Sequence, residues 1–293
     1  MKKILALLLI VCCSGCASVT AYHPQSDALW PLVAQSDVIV TGTMAVPVDH
    51  IRSCLASNKH AHAEINVTLW EALKGKTPET FVVRWYTEPR DYAPDPERVI
   101  ALAGKRVLLF LVDVEDAPVR GYYFAGYTPR ALADAAPAQV QEVQNEISAQ
   151  RQLLAGFSEA FPPAEEPFLR KVKSLIDATT RKDSQMAAFR ELEELGPKAV
   201  PAIIMLMDDR RDLAVPAISL RNPPGHWEAV RHYGPKKVVD AMDAILNQIT
   251  GHSFGNICSG GTERERQEAV NAWRTYLYHW KKTHNKPTEA TSQ

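Results

Sequence analysis

Side chains able to ligate a metal crowd into one stretch: His50, Cys54, His60 and His62, with Glu64 beside them. Imidazole and thiolate suit zinc or copper, and His60, His62 and Glu64 alternate, so an extended strand would set them on one face. A turn folding Cys54 over that face would supply the further ligand that a closed site needs. The spacing matches no named zinc motif. The simpler reading of the same alternation is the wet face of a half-buried strand, with His60, His62 and Glu64 as metal ligands the alternative.

A second group is Asp208, Asp209, Arg210, Arg211 and Asp212, followed by Arg221, His226, Trp227, Arg231, His232 and Tyr233. Trp, Tyr and Arg are enriched at binding hot spots, so Asp208, Asp209, Arg210, Arg211, Trp227, Arg231 and Tyr233 form a candidate binding surface; the alternative is a solvated turn whose charges pair with one another. No nucleophile or oxyanion donor accompanies the aspartates, which leaves acid–base catalysis without its partners. Ser259-Gly260-Gly261 could present N–H groups to an anion, or serve as the lead-in turn to a helix capped by Thr262. There is no G-x-S-x-G, H-E-x-x-H, P-loop or G-x-G-x-x-G, and no cofactor is implied.

The composition, 46% hydrophobic and 23% charged with a net charge of -1, is that of a globular chain without the broad basic field that nucleic-acid binding requires. Nucleic acid is therefore not expected as a partner. Cys54 and Cys258 are a candidate disulfide that would close a loop of about 200 residues and stabilise the fold by about 5 kcal/mol, or two unpaired thiols in different domains.

The elements that must position these groups change period half-way along the chain. Leu29, Leu32 and Val33 have helical spacing, and Val38 to Met44 is β-branched and strand-like. From His62 to Leu73 apolar and polar residues alternate, Phe81, Val83 and Trp85 restart the alternation, and Val107 to Val112 is apolar on both faces, as in a central strand. Arg120 to Ala125 gives a last, aromatic strand, and a helix follows from Pro137 to Leu154. Such strands suggest a small closed barrel. The order Ser-Asp-Val-Ile-Val-Thr-Gly-Thr, Leu-Lys-Gly, Gly-Lys-Arg-Val-Leu-Leu-Phe-Leu resembles, over residues 36–126, the OB-like barrel of netrin and tissue-inhibitor-of-metalloprotease modules. The resemblance implies a binding scaffold more than a chemistry.

Beyond Phe161-Pro162-Pro163 the strand period vanishes. Phe168, Leu169, Val172, Leu175 and Ile176 share a helical face, as do Met186, Phe189, Leu192 and Leu195 up to a left-handed cap at Gly196. Ala199, Val200, Ile203, Ile204 and Met207 follow Pro197. Glu-Leu-Gly-Pro-Lys-Ala-Val-Pro-Ala-Ile-Ile resembles the helix-turn-helix junction of a HEAT repeat, and Met242, Ile245, Leu246 and Ile249 repeat it loosely. Thr262 and Glu265 have the spacing of a capping box for a last helix with Ala269, Val270, Trp273, Leu277 and Trp280 as its stripe. The expected fold class is α+β, a small OB-like β-barrel followed by a short HEAT-like α-helical domain. The expected divisions are a signal over 1–15, a tether over 16–27, the barrel over 28–130, a connecting helix over 131–160, the helical domain over 161–282 and a tail over 283–293.

Lys2 and Lys3 precede an apolar run from Ile4 to Val11 and then Cys13-Ser14-Gly15-Cys16. The run is too short to span a bilayer and reads as the apolar region of an export signal. The sequence Ser14-Gly15-Cys16 resembles the lipobox of bacterial lipoproteins, with Cys13 where that family usually has Leu. The resemblance implies that Cys16 becomes an acylated N-terminus and, with Ala17 following it, that the protein sits in the outer membrane facing the periplasm. An ordinary signal cut near Ala17–Ser18 is the alternative. The function expected is a non-catalytic envelope lipoprotein, anchored to the membrane by its N-terminal lipid and serving as a scaffold for a protein or the cell wall; the alternative is a metal-handling or metal-dependent protein using the His-rich patch.

Overall fold

A computed structural model of the protein describes residues 28–57, 62–86, 94–114, 121–126, 128–158, 165–221, 230–255 and 257–284. The fold is α+β, with a closed five-stranded barrel towards the N-terminus and helices towards the C-terminus. Contacts divide the described residues into a unit holding those of 28–161 and 267–284 and a unit holding those of 162–266.

In the first unit, α1 (Trp30–Gln35) leads into β1 (Val38–Ala45), α2 (Val48–Ala56), β2 (His62–Lys74), β3 (Thr80–Tyr86), α3 (Pro96–Ala101), β4 (Arg106–Val114), β5 (Gly121–Phe124), β6 (Leu132–Asp134) and α4 (Pro137–Ala155). The strands close in the order β1-β2-β3-β5-β4 and back to β1, with β3 and β5 parallel and the other pairs antiparallel. Closure removes the open edges that a flat sheet would expose. One edge of β4 is shared, Leu111–Val114 pairing with β5 and Val107–Leu109 with β6.

The two-faced apolarity of β4 has a direct cause. Val107, Leu109 and Leu111 point into the barrel with Val38, Val40, Ile65 and Val83, whereas Leu108 and Phe110 join Ile39 in a second core with Leu32 and Val33 of α1 and Val143 and Ile147 of α4. One outer wall of the barrel is thus roofed by helices. On β2 the expected alternation holds, with Ala63, Ile65 and Val67 buried and Glu64, Asn66 and Thr68 exposed.

Two short helices, α2 and α3, interrupt the run of strands. Pro96 sits in the first turn of α3, where a missing N–H is harmless, and Asp95 caps it by accepting from the Glu97 N–H at 2.8 Å. α2 carries His50 and Cys54 on a helix where a turn was expected.

At the end of β2, Lys74 Nζ donates to the Val33 carbonyl at 2.7 Å. Burial pulls this ammonium down from 10.5 to about 8, against the opposing pull of Asp37 and Glu268. In the unfolded chain the group keeps its ordinary value, so its penalty is fully present below about pH 8 and is relieved as pH rises towards 10.5. Lys74→Met is expected to raise stability at pH 7 by about 2 kcal/mol, a desolvation gain of about 3 less about 1 for the lost hydrogen bond. Urea unfolding of both proteins at pH 7 and pH 10 checks this: the gain must shrink at the higher pH, and equal stability at pH 7 would contradict it.

The second unit contains α5 (Glu166–Ala178), α6 (Gln185–Leu195), α7 (Val200–Leu206), β7 (Ile218–Arg221), β8 (Val230–Tyr233), α8 (Val238–Thr250) and the start of α9 (Glu263–His284). Val172, Ile176, Phe189 and Leu192 are buried as expected, but Met186 is exposed and its neighbour Gln185 turns inward. The Gln185 amide donates to the Val215 and Ala217 carbonyls at 2.6 and 3.2 Å and accepts from the Val215 N–H at 2.8 Å, which pins the backbone leading to β7. Gly196 has positive φ, 59°, but its ψ of -148° makes it a sharp corner into a 3-10 turn instead of a left-handed cap; Gly251, at φ 70° and ψ 1°, is the true left-handed terminus of α8. The antiparallel β7–β8 hairpin departs from an all-helical repeat.

Candidate binding face of the barrel

The outward side chains of β2, β3 and β5 make the most distinctive polar–aromatic surface of the barrel unit. Register places Glu64 opposite Arg84, Arg84 opposite Tyr123, and His62 opposite Tyr86. The Arg84 guanidinium meets the Glu64 carboxylate at 3.0 Å. The rings of Tyr86 and Tyr123 stack with centroids 6.1 Å apart and planes within 8° of parallel. Tyr86 remains 45% exposed. Burial, and then the neighbouring Tyr86 hydroxyl, push the Tyr123 phenol above its ordinary value, so it stays a neutral donor at physiological pH.

Gly121 makes the close packing possible. A Cβ at that position would collide with the Arg84 Nη1 atom, so a side chain there would force the guanidinium to shift. Farther along β2, Trp70 is 60% exposed, donates from Nε1 to the Thr43 hydroxyl at 2.9 Å and lies under the Arg106 guanidinium, 5.0 Å from its ring centre. The outer wall therefore carries flat aromatic surfaces flanked by the Arg84–Glu64 pair and by the Arg106 guanidinium.

No protein-family model and no curated protein matches the chain.

Of the metal-ligand candidates, His60 and the side chain of His62 lie outside the described residues. Glu64 is engaged by Arg84, and Cys54 Sγ is 3.8 Å from His50 Nε2, one turn away on α2. Among the described residues no three His, Cys, Asp or Glu side chains converge as a metal site would require. The candidate disulfide is not formed. Cys54 belongs to the barrel unit, while Cys258 is buried in the helical unit, where its thiol donates to the Asp243 carboxylate at 3.3 Å and the Asn247 amide lies 3.3 Å from the sulfur.

In the helical unit the charged loop is paired within itself and onto its neighbours. Arg210 meets Asp208 at 2.8 Å, Arg211 clasps Asp209 and reaches Asp177 at 2.7 Å, and Lys237 meets Asp212 at 3.3 Å. Burial opposes ionisation of Asp177, but hydrogen bonds from Lys173 and Arg211 outweigh it and hold its carboxyl below the usual range; Asp209 and Asp177 in turn push the Arg211 guanidinium upward. Main-chain bonds from Val239 to Asp209 and from Val238 to Arg211 strap this loop across the start of α8. Tyr233 is buried in the hairpin, Arg231 faces Leu220 across it, and Trp227 lies outside the described residues. Gly260 and Gly261 lead into a formed capping box: the Thr262 N–H donates to Glu265 at 2.7 Å, and the Glu265 N–H donates to the Thr262 hydroxyl at 3.3 Å.

The aromatic face escaped the sequence reading although Glu64 belonged to it. Arg84 and Tyr123 are distant in sequence, and only barrel closure through the parallel β3–β5 pair sets them side by side.

Proposed function

We infer that the protein is a lipid-anchored scaffold of the cell envelope whose barrel holds an extended, uncharged polar chain such as the glycan of the cell wall. The observation that carries this reading is the Tyr86–Tyr123 stack beside the Arg84–Glu64 pair. Stacked phenol rings offer apolar faces to sugar rings, and their hydroxyls, with the paired guanidinium and carboxylate, offer donors and acceptors without net charge. A polyanion would find no field there. OB-like barrels bind oligosaccharides and oligonucleotides on the face of their second and third strands, an analogy of fold that adds only that much.

The anchor rests on Lys2 and Lys3, the apolar run and Ser14-Gly15-Cys16. No helix among the described residues is long and apolar enough to cross a membrane.

Co-sedimentation with purified cell-wall sacculi tests the glycan reading. The wild type is expected in the pellet, and the Tyr86→Ala, Tyr123→Ala pair is expected to weaken association about tenfold or more, the loss typical of buried aromatic anchors. Wild-type protein left in the supernatant, or a variant that pellets equally well, would refute it. Cross-linking in intact envelopes that captures a protein with the same tyrosine dependence would move the ligand from glycan to protein.

A further inference from the structure

We propose that the C-terminal turns of α9 rest on an anionic lipid surface when the protein is anchored, an inference that takes the lipidated Cys16 of the proposed function as its premise. Trp30, at the start of α1, stacks on His279 of α9 with centroids 4.5 Å apart and planes within 8°. Residues 17–29 lie between the acylated Cys16 and α1, 13 residues that can reach at most about 45 Å. The lipid is thus tied to the barrel unit at the point where α9 ends.

That end has the chemistry of a bilayer interface. Tyr278 is exposed, Lys282 Nζ lies 4.2 Å from the centre of its ring, and Lys281 is exposed beside them. No Asp or Glu occurs between Glu268 and Glu289, a stretch that includes Arg274, Lys281 and Lys282. Tyr and Trp favour the headgroup region, and each lysine near an anionic surface strengthens the contact about fivefold. Burial holds His279 below its ordinary value, so the ring under Trp30 is neutral at pH 7 and the cationic charge lies with the lysines.

Two lysines and a tyrosine would not hold a dissolved protein on a membrane. Covalent attachment to the bilayer changes this, because a chain of bounded length makes the second contact intramolecular and so populates a weak one.

The test uses the full acylated protein in vesicles with and without phosphatidylglycerol. Modification of Lys281 and Lys282 by a water-soluble acetylating reagent is compared with that of Lys105. Lys105 is exposed just before β4 pairs Arg106 with Thr43, whereas α1 meets β1 at the opposite end of that ladder, where Val38 pairs with Leu111. Acetylation of Lys281 and Lys282 relative to Lys105 is expected to slow severalfold on anionic vesicles, and 1 M salt should restore it by shrinking the screening length to about 3 Å. Equal ratios on both vesicles, with the protein floating on both, would overturn the contact while leaving the anchor standing. Protein that does not float, or whose intact mass lacks acyl groups on Cys16, would overturn both.

Discussion

Replacing Arg266 by Met is expected to destabilise the helical unit by about 3–5 kcal/mol, because it strips the partner from a carboxylate sealed away from water. Asp240 is fully buried in the first turn of α8, and Arg266, itself 5% exposed, meets it through Nε at 2.7 Å and Nη2 at 3.1 Å. The backbone N–H groups of Lys236 and Lys237 donate to the same carboxylate at 3.0 and 2.9 Å. A third Arg266 nitrogen reaches Glu263 at 2.9 Å. The hydrogen bonds it donates to Asp240 drive the Arg266 guanidinium upward, so the cation persists at any pH the fold survives.

The cluster ties the turn before α8, the first turn of α8 and the first turn of α9 to one carboxylate. Its loss should be read locally, since a two-unit chain need not unfold in one step. Hydrogen exchange of α8 amides such as Met242 and Ile245, both buried, reports the opening free energy of that helix. The Asp240→Leu, Arg266→Met pair should recover much of the loss, because no lone charge is then buried; a residue of about 1–2 kcal/mol remains for the N–H groups of Lys236 and Lys237. If the single and double variants open equally easily, the ion pair is not what holds the two helices.

Nothing in the sequence pattern pointed to Asp240. The stripe of Met242, Ile245, Leu246 and Ile249 was legible because it repeats at helical spacing, but a carboxylate next to it reads as solvated, and Arg266 reads as one more charge in Glu-Arg-Glu-Arg. The strands were legible where one face is core and the other wet, as on β2, or where both faces are covered, as on β4 beneath α1 and α4. Short elements carried too little pattern. β6 spans Leu132–Asp134, β7 spans Ile218–Arg221 and β8 spans Val230–Tyr233, too few residues each for alternation to stand out from a loop. A short helix can also open on a proline, as α3 does, because the ring that breaks a helix interior is at home in its first turn.

The polar–aromatic face of the barrel is hidden from the sequence for a topological reason. Glu64 was visible as a polar residue alternating with core, and the local neighbours His60 and His62 suggested a metal. Its actual partner, Arg84, is supplied by hairpin register, and Tyr123 by the parallel pairing that closes the barrel. Long-range closure is the part of a β fold least written into local sequence.

Exporting the chain from Ala17 onward behind an ordinary cleavable signal, so that Cys16 is absent, is expected to release it completely from the membrane fraction. A single myristoyl chain binds a bilayer with a constant of only about 10⁴ M⁻¹, but each further buried CH₂ adds about 0.8 kcal/mol, so a second chain of some 16 carbons adds about 10 kcal/mol or more. The acylated protein should therefore resist high salt and alkaline washes and yield only to detergent. No helix among the described residues is long and apolar enough to cross a membrane, and the about 25-fold that Lys281 and Lys282 would contribute together is lost once attachment no longer concentrates them at the surface. Fractionation of the native and lipid-free chains, with intact mass of each, decides the matter. A lipid-free chain that still pellets with membranes after a high-salt wash would mean that the protein body, and not hydrocarbon on one sulfur, supplies the attachment.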